Sequence, residues 1–285
     1  MRRSLPKFSL VISTIHRTIE LERFLIHLSD QTYKNFELII VDQNDDDRVS
    51  KIMNLYKDKF MVIHISSPPG VSRGRNTGIK KVSGELVAFP DDDCWYEKDL
   101  LEKVVVLFTE HPDIDVISGR TVRPDGQNSL GKFDKHSGPI NRRNVFKRGN
   151  TNTYFFRREV VEQIAFDESL GPGSGLKWGS AEDADYLLQA LATGFKLCYI
   201  PDLTVYHEEP VMEYNAITIQ RSYRYSLGLG RVLKKHSYSF VFVWLRLFSQ
   251  IGGMIAALLQ MDKQRYKYHR KVFKGRFDGW RAPYP

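Results

Sequence analysis

Cysteine is scarce in this chain: Cys94 and Cys198 are the only two among 285 residues, and they stand far apart. That excludes a disulfide framework, and neither cysteine sits in a zinc-binding spacing. An apolar leader is also missing. The start, Met1-Arg2-Arg3-Ser4-Leu5-Pro6-Lys7, runs straight into a strand-like segment without the hydrophobic stretch and small-residue cleavage site of a secretory signal, so the expected compartment is the cytoplasm. Fixed-period repeats and low-complexity tracts are absent, which excludes solenoids and disorder. What remains is 42% hydrophobic and 12% aromatic, enough for one α/β domain with an appended helical segment.

Charge is unevenly placed. Residues 211–285 carry 14 Lys and Arg against 3 Asp and Glu, whereas the rest of the chain is slightly acidic. A basic end of this kind meets nucleic acid, an anionic membrane or an acidic partner, and charge alone does not choose.

Along the chain, strand-like and helix-like stretches alternate. Phe8–Ile12, Phe36–Val41, Met61–Ile65 and Glu85–Phe89 read as buried strands; residues 18–29, 51–57, 72–82 and 98–108 read as helices, with Ser72 expected as an N-cap. This rhythm implies a mainly parallel sheet covered on both faces. Residues 120–150 have weak periodicity and are expected to be a loop over the site. Tyr154–Phe156, Lys196–Ile200 and Thr204–Tyr206 look extended, residues 159–164 and 184–193 helical, and the chain is helical in pattern from about Met212.

Ligands bind beyond the carboxyl ends of strands in such sheets. Those positions hold Ser13 and Thr14, then Asp42, then Asp91-Asp92-Asp93. If the chain stays extended past Phe89, the Asp91 and Asp93 carboxylates share one side and Asp92 takes the other. Such a pair suits one hard cation, Mg²⁺ or Mn²⁺, completed by water and substrate phosphates; a solvated acidic turn is the bland alternative. Arg73 and Arg75 open a helix where guanidinium and backbone N–H groups face a diphosphate, or else are solvated charges. Asn76 either joins them or shapes a helix–sheet contact. Ser180-Ala181-Glu182-Asp183 leads into another helix and has the form of a capping box.

Taken in order, Leu38-Ile39-Ile40-Val41-Asp42, Gly70-Val71-Ser72-Arg73-Gly74-Arg75-Asn76-Thr77-Gly78 and Gly84-Glu85-Leu86-Val87-Ala88-Phe89-Pro90-Asp91-Asp92-Asp93 resemble the nucleotide-binding half of family-2 glycosyltransferases of the GT-A fold. The resemblance implies a Rossmann-like nucleotide-diphospho-sugar transferase domain over 1–210, with a nucleotide-binding half (1–119) and an acceptor half (120–210), followed by a basic helical extension (211–285). It implies that Asp42 contacts the base, commonly uracil, that Thr14 lines the nucleotide pocket with Arg75, Asn76 and Asp92, and that Asp91 approaches the ribose. Asp93 would bind the metal on the diphosphate, with His207 as a second ligand. Glu182-Asp183, followed by Gly194, Pro201 and His207, resembles the acceptor half, where Asp183 would be the general base and Glu182 the reserve. Gly173 and Trp178 are acceptor-binding candidates, Trp178 either stacking on a sugar or serving as ordinary core. The implied reaction is inverting transfer from a nucleotide-sugar, UDP-linked, to a hydroxyl of a glycan or lipid-linked acceptor, as in cell-surface polysaccharide synthesis.

Two rivals belong to other classes. A sugar nucleotidyltransferase would carry a glycine-rich loop directly after strand one, yet Ser13–Arg17 has no glycine. A non-enzymatic basic protein holding membrane or RNA would leave the strand-end carboxylates unexplained, so no nucleic acid partner is expected. Phe240–Leu259 is the most apolar stretch, interrupted by Arg246, Gln250 and Gly252-Gly253. Flanked by lysine and arginine, it reads as a helix lying on the inner, anionic face of a membrane, or as one that packs on protein or forms a homodimer.

Overall fold

A computed structural model describes residues 5–208 and 213–283. The expected start of the helical extension at Met212 lies outside the described residues. In chain order the elements are β1 (Phe8–Thr14), α1 (Ile19–Ser29), β2 (Phe36–Asp42), α2 (Arg48–Met53), β3 (Met61–Ser66), α3 (Val71–Ile79), β4 (Leu86–Ala88), β5 (Cys94–Tyr96), α4 (Leu100–Glu110), β6 (Val116–Val122), β7 (Gly138–Pro139), β8 (Tyr154–Arg157), α5 (Arg158–Gln163), α6 (Glu182–Thr193), β9 (Leu197–His207), α7 (Ala216–Lys235), α8 (Phe240–Leu259) and α9 (Lys263–Arg281).

Among the described residues nine strands join one sheet in the order β3-β2-β1-β4-β8-β6-β9-β5, with β7 beside β9. β3, β2, β1 and β4 run parallel, which the sequence rhythm anticipated. Beyond β4 the sheet is mixed: β8 lies antiparallel to both β4 and β6, β9 parallel to β6, and β5 antiparallel to β9. The expectation of a mainly parallel sheet is corrected to this extent. β1 and β2 are buried almost throughout, as strands covered on both faces must be, and α1 meets that core through Leu21, Phe24, Leu25 and Leu28 at helical spacing.

β6 and β9 were hard to read because each contains a breaker. Gly119 interrupts β6 and Pro201 interrupts β9. The register slips there: Ser118 pairs with Tyr199 and Arg120 with Thr204, so four residues of β9 bulge against Gly119. A side chain at Gly119 would meet the Leu203 carbonyl oxygen at 1.9 Å, so glycine is required at this crossing. Two helix starts also differ from expectation. α2 begins at Arg48 rather than Lys51, because the Asp46 carboxylate accepts the Arg48 N–H at 3.1 Å. α3 begins at Val71, and Ser72 is no N-cap: its hydroxyl donates to the Leu170 carbonyl at 3.0 Å.

The described residues form two compact units, 5–69 with 73–166 and 186–208, and 70–72 with 167–185 and 213–283. The first holds the sheet. The second holds α7, α8 and α9. Of the described helices one, α8, is long and apolar enough to cross a membrane, with mean hydropathy 1.6. It buries Val243, Leu247 and Ala257 and leaves Phe240, Val241, Leu245, Phe248, Ile255 and Leu258 exposed.

Candidate functional site

In the first unit the carboxyl ends of β1, β2 and β4 deliver Thr14, Asp42 and Asp91–Asp93 to one rim, since β1 lies between β2 and β4 and pairs Thr14 with Asp42. His207 arrives from far along the chain: the antiparallel β5–β9 ladder pairs it with Cys94, next to Asp93. Its Nε2 stands 3.3 Å from Asp93 Oδ1.

The acidic triplet does not stay extended. Asp92 and Asp93 form a turn closed by the Cys94 N–H donating to the Asp91 carbonyl at 3.3 Å. The expected alternation is therefore corrected. Each carboxylate has its own setting. Asp91 accepts from buried Arg75 at 2.8 Å. Asp92 accepts from Thr14 at 2.8 Å and stands 3.3 Å from Arg17 Nε, while Arg17 Nη1 meets Asp93 at 2.7 Å. Arg17, in the loop after β1, went unnoticed in the sequence. Its signal was its place: a cation at the same rim as the acids.

Three carboxylates in three successive residues cannot all ionise at no cost. Burial, followed by Asp93 and Asp91, pushes the Asp92 carboxyl up to about 7, against the pull of Thr14 and Arg17. Burial would raise Asp93 as well, but His207 and Arg17 outweigh it and hold Asp93 below the usual range. His207 responds in kind: burial lowers its pKa, and the Asp93 contact more than restores it.

Asp42 is buried and fully engaged, with His64 Nε2 at 3.0 Å and the Asn44 backbone N–H and Nδ2 at 3.0 and 2.7 Å. His64, within β3, is a second unforeseen neighbour. The guanidinium of Arg75 also lies over Phe166 at 5.2 Å. The Asn76 side-chain amide donates to the Phe166 carbonyl and accepts from the Phe166 N–H, both at 2.9 Å. These two bonds pin the chain at Phe166.

In the second unit the Glu182–Asp183 pair opens α6 just after Ala181, which is forced to φ +75° without being glycine. Asp183 Oδ1 accepts the Ala184 N–H at 2.7 Å, and the Ser180 hydroxyl donates to the Tyr225 carbonyl at 2.7 Å. Gly171, at φ +92°, backs onto Glu182: an added Cβ would lie 3.0 Å from its carboxyl carbon. Asp185 is fully buried and gripped by Lys235 at 2.9 Å and His236 at 2.8 Å. Trp178 is buried too, with Arg231 and Lys177 over its ring at 5.3 and 4.6 Å, which leaves little face for a sugar to stack on. Its ring packs as part of the core.

Among the described residues no group of three His, Cys, Asp or Glu side chains is placed to hold a metal. Asp93 with His207 supplies one oxygen and one nitrogen donor, a set that Mn²⁺ accepts and that substrate phosphates and water complete. Arg17 already sets a positive charge against Asp93.

The family model described as Glycosyl transferase family 2 matches residues 9–166. The chain is 28% identical over 202 residues to the glycosyltransferase AglE of Haloferax volcanii, a match that covers 66% of this chain and 65% of AglE, just under two thirds of that relative's length. In structure it is similar to S. aureus TarS 1-349, with TM-score 0.61, 18% identity and 95% and 90% of the two chains covered. The same protein has been solved in complex with UDP-GlcNAc. The mannosyltransferase PcManGT from Pyrobaculum calidifontis, in complex with GDP-Man and Mn²⁺, matches with TM-score 0.65, 15% identity and 97% and 88% covered.

Proposed function

This chain belongs to glycosyl transferase family 2, and from that premise we propose that it moves a sugar from a nucleotide-sugar to an acceptor hydroxyl with inversion at the anomeric carbon. The observation that carries the reading is the convergence of Asp42, Asp91, Asp93, Arg75 and His207 at one rim of the sheet. Asp42 and Thr14 receive the nucleoside, and Asp91, held by Arg75, meets the ribose. TarS in complex with UDP-GlcNAc and PcManGT in complex with GDP-Man share this fold and support a nucleoside diphosphate donor; we take UDP as the first choice. Asp93 and His207 would hold Mn²⁺ or Mg²⁺, whose chemistry is to neutralise charge on the leaving diphosphate. Arg17 and Arg75 add fixed positive charge at the same rim.

Asp183 acts as general base on the acceptor hydroxyl, with Glu182 in reserve. Residues 1–119 serve the donor and 120–210 the acceptor. The acceptor is a glycan or a lipid-linked glycan, and α8 with its basic surroundings holds the enzyme on the inner face of an anionic membrane.

Calorimetric titration with UDP and GDP, with and without Mn²⁺, tests the donor reading. Binding strengthened by Mn²⁺ is expected, and an Asp93→Asn variant should lose that gain. No binding of either nucleotide under any condition would sink the proposal. Asp183→Asn should keep donor binding and lose turnover by about 10²-fold or more; full turnover would reassign the base.

A further inference from the structure

Ile217, Gln220, Arg221, Arg224 and Tyr225 recur at helical spacing along α7 and so share one face. Together with the Gly171–Gly173 turn and Gly179 they line a cleft of about 580 Å³, a size that suits a small ligand. Arg221 donates to the Tyr225 hydroxyl at 2.7 Å and lies over that ring at 4.9 Å, and Arg224 donates to the Leu176 carbonyl at 3.3 Å. Both arginines are exposed, and among the described residues neither has a carboxylate partner. A second recess of about 460 Å³ shares Gln220 and Arg224 and adds Lys177 and Asp278, whose carboxylate accepts from Tyr223 at 2.7 Å and Lys274 at 2.6 Å.

Two guanidinium groups one turn apart on one helix face offer an anion paired donors, and their planar forks match phosphate oxygens in pairs. The cleft also adjoins the acidic pair, because the Gly171 backbone that forms its wall packs on the Glu182 carboxylate. We propose that this cleft binds the phosphate or diphosphate group of the acceptor through Arg221 and Arg224, which makes the acceptor an anionic, phosphate-bearing molecule. The assignment of the ligand as acceptor rests on the glycosyltransferase reading; the anion site itself does not.

The test titrates the full chain with geranyl diphosphate, inorganic pyrophosphate and maltotriose, and separately with UDP. Geranyl diphosphate should bind, and Arg221→Glu/Arg224→Glu should weaken it by roughly tenfold or more while leaving UDP affinity unchanged. Arg224 packs near Gly179, so Arg221→Glu alone guards against a folding defect and should show the same direction. Geranyl diphosphate tighter than pyrophosphate supports a lipid-borne phosphate, and equal affinity supports a phosphate group without lipid. Anion binding that survives both variants, or binding of maltotriose but of neither anion, overturns the proposal. If UDP fails to bind while the arginine-dependent anion site persists, it is the donor reading that falls.

Discussion

Glu37 shows what a buried charge needs. It lies in β2 with no exposed surface, where Lys7 Nζ donates to it at 2.6 Å, the Ser9 hydroxyl at 2.5 Å and the Ser83 N–H at 2.9 Å. Burial alone would raise its pKa; these donors outweigh that and hold it below the usual value. A lowered folded-state pKa means stability that is present above the unfolded value, about 4.3, and lost as pH falls through the folded value. Urea unfolding from pH 7 down to pH 3 should therefore show a loss in the native protein that is smaller in Glu37→Gln. At pH 7 the variant should be less stable by about 1.5–3 kcal/mol. At the rim, the same logic of paired charge made Asp42 and the Asp triplet legible in sequence, since acids in a row after strands ask for a countercharge. Arg17 and His64 were not legible, because a lone basic side chain in a loop or within a strand has no pattern until the strands set it beside its acid.

Between α6 and α7 one buried contact joins distant segments. Asp185 is buried beneath Lys235 and His236, and Lys235 also reaches Asp167 at 2.8 Å. Burial disfavours the Lys235 charge, but Asp185 and Asp167 together raise its pKa. Replacing Lys235 with Met removes two of these contacts and leaves buried carboxylate behind, so a loss of about 3 kcal/mol in urea unfolding is expected; a loss below about 0.5 kcal/mol would show the clamp to be idle. The helices that periodicity announced, such as α1 and α4, stand within a residue or two of expectation. β5, β6 and β7 were missed. Three-residue and two-residue strands carry too little alternation to read, and β6 hides behind the Gly119 bulge, whose reason lies in the partner strand. Gly119→Ala should destabilise by about 1–3 kcal/mol or more through the 1.9 Å clash with Leu203.

At the scale of the whole molecule, the basic balance of residues 211–285 acquires a surface. α8 turns one apolar face inward and exposes Leu245, Phe248, Ile255 and Leu258, while Lys263, Lys267, Arg270 and Lys274 are exposed or partly exposed along α9. On our reading apolar contact and charge act together on an anionic bilayer. Sedimentation with vesicles containing phosphatidylglycerol should carry the protein down, neutral vesicles much less, and added salt should weaken the binding. Leu245→Glu/Phe248→Glu should abolish it. Retained binding in that variant would point to charge alone, and a concentration-dependent dimer that the variant dissociates would assign the face to a second copy.

The sequence by itself determined the parallel core of the sheet, the strand ends that carry Thr14, Asp42 and the Asp triplet, and the family to which they belong, because all of these follow from short-range period and spacing. Only the tertiary structure decided the mixed half of the sheet, the turn at Asp92-Asp93, the packing of Asn76 and Trp178, and the arrival of Arg17 beside the acids. Those depend on which segments meet across long stretches of chain. Local pattern records which way a side chain faces on its own element, and it holds no record of what that element is packed against.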